Sequence, residues 1–388
     1  MASTEPRFHV RTVTAGVDAE SLDDLAAVDR GLQLLARAAA RLEQEGYALQ
    51  TRRLALPPLL AGLDPAARWN SLAHVRRLDR LASDHGILLS VGPVCIDDRP
   101  DPALPRWIAD LNASTSSTHA SVAIASAEGG VHREAARIAA ESMLAIAAQA
   151  AAGNFRFAAA ACIAPGTPFF PVAYHHGAAS IAVGLQSAGL VAQAFQGASG
   201  ATEATRALQA TLGPPLMAME RTVDTIARQE RVLYLGIDTS PAPLLDVSIA
   251  GALEAFTGRP FGGPGTLDAC ALVTAGVRAL PVRTCGYSGL MLPVMEDTVL
   301  AARAAEGRFG IRDLLLFSSV CGAGLDVVPI PGDTAPDVLA SLLLDVASLA
   351  VRLQKPLSAR LFPMPGLAAG DRAAFDDPAL TPAPVFGL

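Results

Sequence analysis

Short apolar runs rich in strand-forming residues alternate with longer helical patterns along most of this chain. In the first helical pattern, Leu25, Val28, Leu32 and Leu35 recur at the three- and four-residue spacing of one buried helix face. Ten runs are candidate strands: residues 8–14, 49–56, 87–94, 121–125, 157–163, 180–185, 232–237, 280–284, 314–320 and 357–362. This alternation predicts a mostly parallel sheet covered by helices. Because ten strands exceed what an open twisted sheet usually carries, a closed barrel or two half-barrels is favoured, and we expect a closed α/β barrel with outer helices.

Composition and length narrow the class of protein. Hydrophobic residues make up 51% of the 388 residues and charged residues only 17%, which excludes a disordered or fibrous chain. No linker and no internal repeat stands out, so we expect one domain over residues 1–388. The net charge of −7 argues against a nucleic-acid partner. Five cysteines in a chain of this length do not form a disulfide framework.

One uncharged stretch raises the question of a membrane span. Residues 157–202 contain no Asp, Glu, Lys or Arg, but Pro165, Pro168 and Pro171 interrupt the first half. A buried strand, loop and helix therefore explain the stretch better than a transmembrane helix. The N-terminus has no apolar segment typical of a secretory signal. We expect a cytoplasmic protein with reduced thiols and no membrane contact.

Polar and nucleophilic side chains follow several of the predicted strands. In parallel α/β folds the functional side chains lie at the carboxyl ends of strands, so these residues are expected to share one pocket. The candidate catalytic residues are His175, Asp238, Cys285, Tyr287, Glu296 and Cys321. The candidate substrate-binding residues are Arg11, Thr167, Ser240, Thr266, Ser288 and Arg360.

Each candidate also has a purely structural interpretation. A buried cysteine is more often a small core residue than a nucleophile, and His175 could be a hydrogen-bonded core histidine. Asp333 and Thr334 fit the start of a helix. The convergence of the whole set is the stronger argument for a pocket. Buried carboxylates in it must be paired, hydrogen-bonded or bound to a cation, and Arg11, Arg360 and His175 are the expected partners.

The residue types predict chemistry on a small carboxylate. Arg11 or Arg360 would hold the carboxylate through two parallel hydrogen bonds. His175, Glu296 or Asp238 would move protons, and Cys285 or Cys321 could act as nucleophile or acid.

Signals for a cofactor are weak. The glycine-rich residues 262–266 precede a helical pattern and could bind an anion, but no Walker motif and no dinucleotide fingerprint is present. No nucleotide cofactor is therefore indicated. The sequence contains neither CxxC nor HExxH, which are common metal-binding patterns. An oxygen-rich site for a divalent cation at Asp297, Asp326 and Asp333 is the alternative to a site without metal.

Several segments resemble the uncharacterised bacterial and archaeal family called domain of unknown function 711, often described as pyruvate formate-lyase-like. They include DTSPAP at 238–243, GYSG at 286–289 with Glu296 and Asp297, and GLD at 324–326 followed by IPGDT at 330–334. The pair Tyr174 and His175 also matches the family pattern. The resemblance covers most of residues 154–384 and implies a ten-stranded barrel like that of glycyl-radical enzymes.

Residues 283–289 also resemble the loop that carries the glycyl radical in such enzymes. The chain is shorter than the usual radical enzymes, and a glycyl radical is cleaved by oxygen. We therefore favour a non-radical use of the pocket, in which replacing Gly286 by alanine would leave activity largely intact.

Taken from sequence, the expected function is acid–base or thiolate-assisted chemistry of the lyase or isomerase type. The expected substrate is a small carboxylate such as an oxo acid or an amino acid, and the expected assembly is a homodimer. Two alternatives remain open: a regulatory protein that binds a small molecule on a degenerate enzyme fold, and a glycyl-radical enzyme. A titrating cysteine or histidine pair in the pocket would favour the enzyme over the binding protein.

Overall fold

The computed structural model describes residues 8–388. Its strands are β1 (His9–Gly16), β2 (Ala48–Ala55), β3 (Ile87–Cys95), β4 (Thr118–Ser126), β5 (Gly130–Val131), β6 (Phe157–Ala161), β7 (Ser180–Gln186), β8 (Leu233–Asp238), β9 (Gly324–Pro331), β10 (Leu357–Met364), β11 (Arg372–Ala373) and β12 (Ala383–Pro384). Its helices are α1 (Leu25–Gln44), α2 (Pro65–Asp84), α3 (Leu104–Ala113), α4 (Arg133–Gln149), α5 (Ala188–Phe195), α6 (Ala201–Glu230), α7 (Ile249–Thr257), α8 (Thr266–Arg278), α9 (Thr298–Ala305), α10 (Ile311–Ser318) and α11 (Pro336–Leu353). A 3₁₀ helix spans Ala151–Arg156.

Ten of these strands form one mixed sheet in the order β8-β7-β1-β2-β3-β4-β6-β10-β9, with β5 paired to β4. The five central strands, from β1 to β6 in that order, are parallel to one another. On one flank β7 is antiparallel to β1, and β8 is parallel to β7. On the other flank β10 is antiparallel to β6, and β9 is parallel to β10. The two flanks therefore run opposite to the centre.

The edges of this sheet are β8 and β9, and within residues 8–388 no strand ladder joins them, so the predicted closed barrel is not confirmed. The segment 284–293 lies across the gap instead. It makes one bridge to each edge, from Thr284 to Ile237 of β8 and from Pro293 to Asp326 of β9. The supported architecture is an α/β fold with a large mixed sheet.

The sheet is strongly curved. Four strands separate β1 from β10, which would place them about 24 Å apart in a flat sheet with a strand spacing of about 4.8 Å. Nevertheless Arg11 of β1 and Arg360 of β10 both contact the carboxylate of Glu296. The curvature thus creates an inner face, which packs against the 162–179 loop and the 284–293 segment.

Two kinds of core cover the two faces. The large outer core lies between the sheet and the helices, where residues such as Leu35, Val122 and Val346 are fully buried. A separate small cluster fills the inner face: Ala158, Ala160, Phe169, Val172, Ala242, Tyr287, Met291 and Ala323. Small residues on β6 leave room for the aromatic rings of the loops.

Eight of the ten predicted strands overlap observed strands, and two predictions are wrong. Residues 314–320 were expected to be a strand, but they belong largely to α10, because Leu314 and Phe317 share one buried face and Asp313 accepts the amide of Gly310 at the helix start. Residues 280–284 make only the single bridge at Thr284. Strand β9 was missed, since its Pro and Asp residues hide the strand pattern.

The uncharged stretch 157–202 forms β6, a loop, β7 and α5, in keeping with the expectation of buried elements. None of the helices within the described residues is long and apolar enough to cross a membrane.

Candidate functional site

A cavity opens on the inner face of the sheet. The space that the centre of a water-sized sphere can occupy in it is only about 20 Å³. The lining residues are Arg11, Thr12, Arg53, Pro168, Phe169, Gly184, Leu185, Asp238, Ser240, Ala242 and Met291. In this conformation the cavity holds about one or two water molecules, so a larger ligand requires the lining side chains to move.

A network of buried charges lies beside the cavity. Glu296 accepts hydrogen bonds from Arg11 at 2.6 Å and from Arg360 at 3.0 Å, and Arg360 also donates to Asp326 at 2.7 Å. Burial alone would raise the pKa of Glu296, but the two guanidinium groups outweigh it and hold the pKa at about 2. Burial raises the pKa of Asp326, and Arg360 opposes that shift. The expected pairing of Glu296 and Asp326 with Arg11 and Arg360 is confirmed.

Arg53 on β2 lines the same cavity, and the sequence analysis missed it. Its guanidinium donates to the carbonyl of Pro168 at 3.1 Å and to the hydroxyl of Thr51 at 3.2 Å, and it lies 5.0 Å from the ring centre of Phe170. Among the described residues, no carboxylate pairs with it. Burial, with the nearby cations Arg11 and Arg360, lowers the pKa of Arg53 to about 9. Arg53 is therefore a buried cation that no carboxylate pairs directly, and the charge of Glu296 only partly offsets the lowering of its pKa.

Asp238 ends β8 and presents its carboxylate to the cavity. Its Oδ1 accepts hydrogen bonds from the amide and hydroxyl of Ser240 at 3.1 and 2.6 Å and from the amide of Ser288 at 3.0 Å. Its Oδ2 accepts only the amide of Tyr287, at 3.1 Å. Burial raises the pKa of Asp238, and these hydrogen bonds oppose the shift. Oδ2 thus has the free lone pair that proton transfer requires.

Gly286 allows the segment to approach this carboxylate. A Cβ at this position would lie 2.3 Å from Oδ2 of Asp238 and 3.0 Å from the hydroxyl of Thr167, and its φ of +62° favours glycine. The structure therefore changes the expectation that Gly286→Ala is harmless. An alanine would displace Asp238 whether or not a radical is involved.

Tyr287 and Ser288 hold the 284–293 segment in place. The hydroxyl of Tyr287 donates to Ser358 on β10 at 2.8 Å, and its ring packs edge-on against Phe169. The hydroxyl of Ser288 donates to the carbonyl of Cys285 at 2.9 Å. These bonds give both residues a positioning role beside Asp238, not a place in the cavity lining.

His175 does not line the cavity. Its Nε2 lies 3.1 Å from the carbonyl of Gly177 and 2.9 Å from that of Ala178, and its Nδ1 lies 3.2 Å from the hydroxyl of Ser180. Burial lowers the pKa of His175, although the two carbonyls oppose it. This environment matches the structural interpretation of a hydrogen-bonded core histidine.

Neither candidate cysteine reaches the cavity. Cys285 lines a separate open cleft that also contains Arg278 and Lys355. Burial, and then the charge of Asp238, raises the pKa of the Cys285 thiol well above its ordinary value. Cys321 is buried, and its carbonyl accepts a hydrogen bond from Lys355. Thiolate chemistry therefore has no support from the geometry of the cavity.

The other predicted ligands lie apart. Thr266 begins α8, where its hydroxyl accepts the amide of Gly262. Asp333 is exposed after β9. Asp297 accepts the hydroxyl of Ser248 and the backbone amides of Ile249, Ala250, Val299 and Leu300, so it caps the starts of α7 and α9. Over residues 8–388 no cluster of three or more His, Cys, Asp or Glu side chains could hold a metal ion.

The topology explains why the candidates separate. Because β8 runs opposite to β6, the carboxyl end of β8 lies at the end of the sheet where β6 has its amino end. Asp238 pairs with Gly184, which pairs with Thr12 in the middle of β1. The expectation that strand ends gather at one edge is thus wrong. The site lies on the inner face, at the middle of the strands.

Comparison with known proteins gives the family. A family model described as Uncharacterised ACR (DUF711) matches residues 1–376. The chain belongs to the DUF711 family. It is 32% identical over 375 residues to a UPF0210 protein of Pyrobaculum islandicum, covering 90% of this chain and 82% of that protein. It is 25% identical over 401 residues to a UPF0210 protein of Lacticaseibacillus casei, covering 96% and 86% of the two chains. The family resemblance seen in the sequence is confirmed, but the link to pyruvate formate-lyase is not shown.

The low pKa of Glu296 predicts a specific loss of stability in acid. The pKa of Glu296 in the folded state, about 2, lies below its ordinary value of 4.5. The contribution of Glu296 to the free energy of unfolding is therefore complete above pH 4.5 and declines as the pH falls toward 2. Measured by urea unfolding, the free energy of unfolding of wild type should fall by about 2 kcal/mol between pH 6 and pH 3 because of this residue. Glu296→Gln should already be less stable than wild type at pH 6, and it should not show this further fall. Glu43→Gln, on the exposed face of α1, should follow wild type. An equal loss in all three proteins would contradict this role of Glu296.

Proposed function

We propose that this protein is an acid–base enzyme of the lyase or isomerase type that acts on a small carboxylate, such as an oxo acid or an amino acid. One observation carries the proposal. Arg53 is a buried guanidinium without a carboxylate partner, and it shares a cavity with the carboxylate of Asp238. An anionic substrate would pair directly with Arg53, which is favourable because an unpaired buried cation is costly.

The three arginines at the cavity have different roles. Arg360 is engaged by both Glu296 and Asp326, which leaves it a structural role in place of the predicted role as carboxylate anchor. Arg53 is free of carboxylates, and Arg11 contacts Glu296 through one terminal nitrogen while lining the cavity. Together Arg53 and Arg11 offer the forked hydrogen bonds that a carboxylate accepts.

Asp238 is the proposed proton-transfer residue. In the proposed step, Oδ2 of Asp238 takes a proton from the substrate carbon next to the carbonyl or carboxylate group, so that a C–H bond breaks and an O–H bond forms. The electron pair moves onto the substrate oxygens, where Arg53 and Arg11 stabilise the charge. Asp238 then returns the proton to a neighbouring carbon in an isomerase, or to a leaving group in a lyase.

The remaining alternatives differ in what they require of the cavity. A regulatory binding protein would use Arg53 and Arg11 without proton transfer by Asp238. Glycyl-radical chemistry would use Gly286 and Cys285, but Cys285 does not line the cavity and belongs to a separate cleft. The curvature of the sheet and the position of the 284–293 segment between β8 and β9 are compatible with a barrel related to that of glycyl-radical enzymes, and we retain that fold relationship as part of the proposal.

The anion-binding role of Arg53 has a matched control in the next residue. Arg52 lies on the opposite face of β2, where it donates to the carbonyl of His85. In calorimetric titration with pyruvate and with alanine as probes, Arg53→Gln should weaken binding of the preferred probe about 10- to 100-fold, because a charge-assisted hydrogen bond contributes about 1.5–3 kcal/mol. Arg52→Gln should bind like wild type. Equal affinity in both variants would contradict the assignment.

Proton transfer is tested by hydrogen exchange into the substrate. In deuterium oxide, wild type should replace the carbon-bound proton of a bound oxo acid or amino acid with deuterium. Proton magnetic resonance measures this exchange as the loss of the substrate's proton signal. Asp238→Asn should lose at least a hundredfold in exchange rate, whereas Asp246→Asn, at an exposed position of the next loop, should not. Binding with no exchange in wild type would contradict the enzyme and indicate the regulatory binding protein.

A further inference from the structure

The cavity has a charged side and an apolar side. Arg11, Arg53 and Asp238 form the charged side. The apolar side is formed by Pro168, Phe169, Leu185, Ala242 and Met291. A substrate whose carboxylate is held by the arginines must extend its carbon chain along the apolar side, because polar groups there would be left without hydrogen-bond partners. The extent of the apolar side therefore limits the length of the chain.

Met291 is the flexible part of this wall. Only 4% of its surface is exposed, and it packs in the inner-face cluster with Phe169, Ala242 and Tyr287. The backbone before it is fixed, since the amide of Leu290 donates to Thr274 at 3.1 Å and its carbonyl accepts the amide of Gly322 at 2.7 Å. The position of the wall is thus set by the methionine side chain, an unbranched chain that fills irregular space.

Gly184 is the open part of the opposite wall. It lies in β7 between Thr12 of β1 and Asp238 of β8, so a side chain on it would project to the same inner face as Asp238. A Cβ there would lie 3.0 Å from a methyl group of Thr12 and 3.9 Å from Pro168. Gly184 does not have the positive φ that would itself exclude alanine. The backbone therefore allows an alanine, which would displace the Thr12 methyl group slightly and take space from the cavity.

We infer that Met291 and Gly184 determine the chain length of the substrate, which the present cavity restricts to short aliphatic carboxylates. This inference rests on the proposed function, because it assumes that the carboxylate is anchored at Arg53. Shortening Met291 should lengthen the accepted chain, and adding a methyl group at Gly184 should shorten it. The two changes act in opposite directions on one property, which a general loss of stability would not do.

The test is a series of calorimetric titrations with pyruvate, 2-oxobutyrate, 2-oxovalerate and 2-oxohexanoate. In wild type the affinity should fall about tenfold or more at the first acid that is too long, since one methylene group in a tight pocket changes binding by about 10- to 200-fold. In Met291→Ala the fall should come at least one carbon later, and in Gly184→Ala at least one carbon earlier. Met295→Ala is the matched control, because Met295 is equally buried but belongs to the outer core.

The outcomes separate this inference from the proposed function. If the length limit is the same in wild type, Met291→Ala and Gly184→Ala while Arg53→Gln still weakens pyruvate binding, the inference is overturned and the proposed function stands. If neither the four oxo acids nor alanine binds wild type, both are overturned. Should Met291→Ala not fold, Met291→Val removes less volume and is expected to move the limit in the same direction, and an unchanged limit there also overturns the inference.

Discussion

The carboxylate of Glu296 joins two strands that a flat sheet would keep far apart. By accepting Arg11 from β1 and Arg360 from β10, it fixes the curvature that gives the sheet an inner face. The next residue, Asp297, caps α7 and α9, so the chain is anchored to the sheet and to two helices at adjacent positions. A buried ion network adds little net stability, but it specifies one arrangement, because each unpaired alternative is strongly disfavoured.

The same network leaves Arg53 without a directly paired carboxylate. Glu296 and Asp326 occupy Arg11 and Arg360, whereas Arg53 receives only a carbonyl, a hydroxyl and the face of Phe170. Because a buried guanidinium without a paired carboxylate is costly, an anion that pairs with Arg53 would bind favourably. Asp238 lines the same small cavity with a free lone pair on Oδ2, which places a proton acceptor with the cations that would stabilise a developing anion.

The sequence predicted the elements better than the site. The apolar strands were recognisable because β-branched runs and helical spacing differ clearly, whereas α10 was mistaken for a strand since its run of leucines fits either period. Arg11, Asp238, Glu296 and Arg360 were found, but at strand ends, as a fully parallel sheet would require. Arg53 was not predicted, because an arginine inside a strand normally faces solvent, as Arg52 does. Only the curvature of the sheet turns the face that carries Arg53 into the wall of a pocket.

Anomalous diffraction from crystals soaked in bromide tests the central claim directly, because bromide scatters anomalously and seeks an uncompensated cation. An ordered bromide peak is expected within hydrogen-bonding distance of the Arg53 guanidinium, about 3.3 Å allowing for the larger radius of the ion, and this peak should be lost in Arg53→Gln. A crystal structure in which Arg53 is paired with a protein carboxylate, and in which bromide binds elsewhere only, would contradict the account.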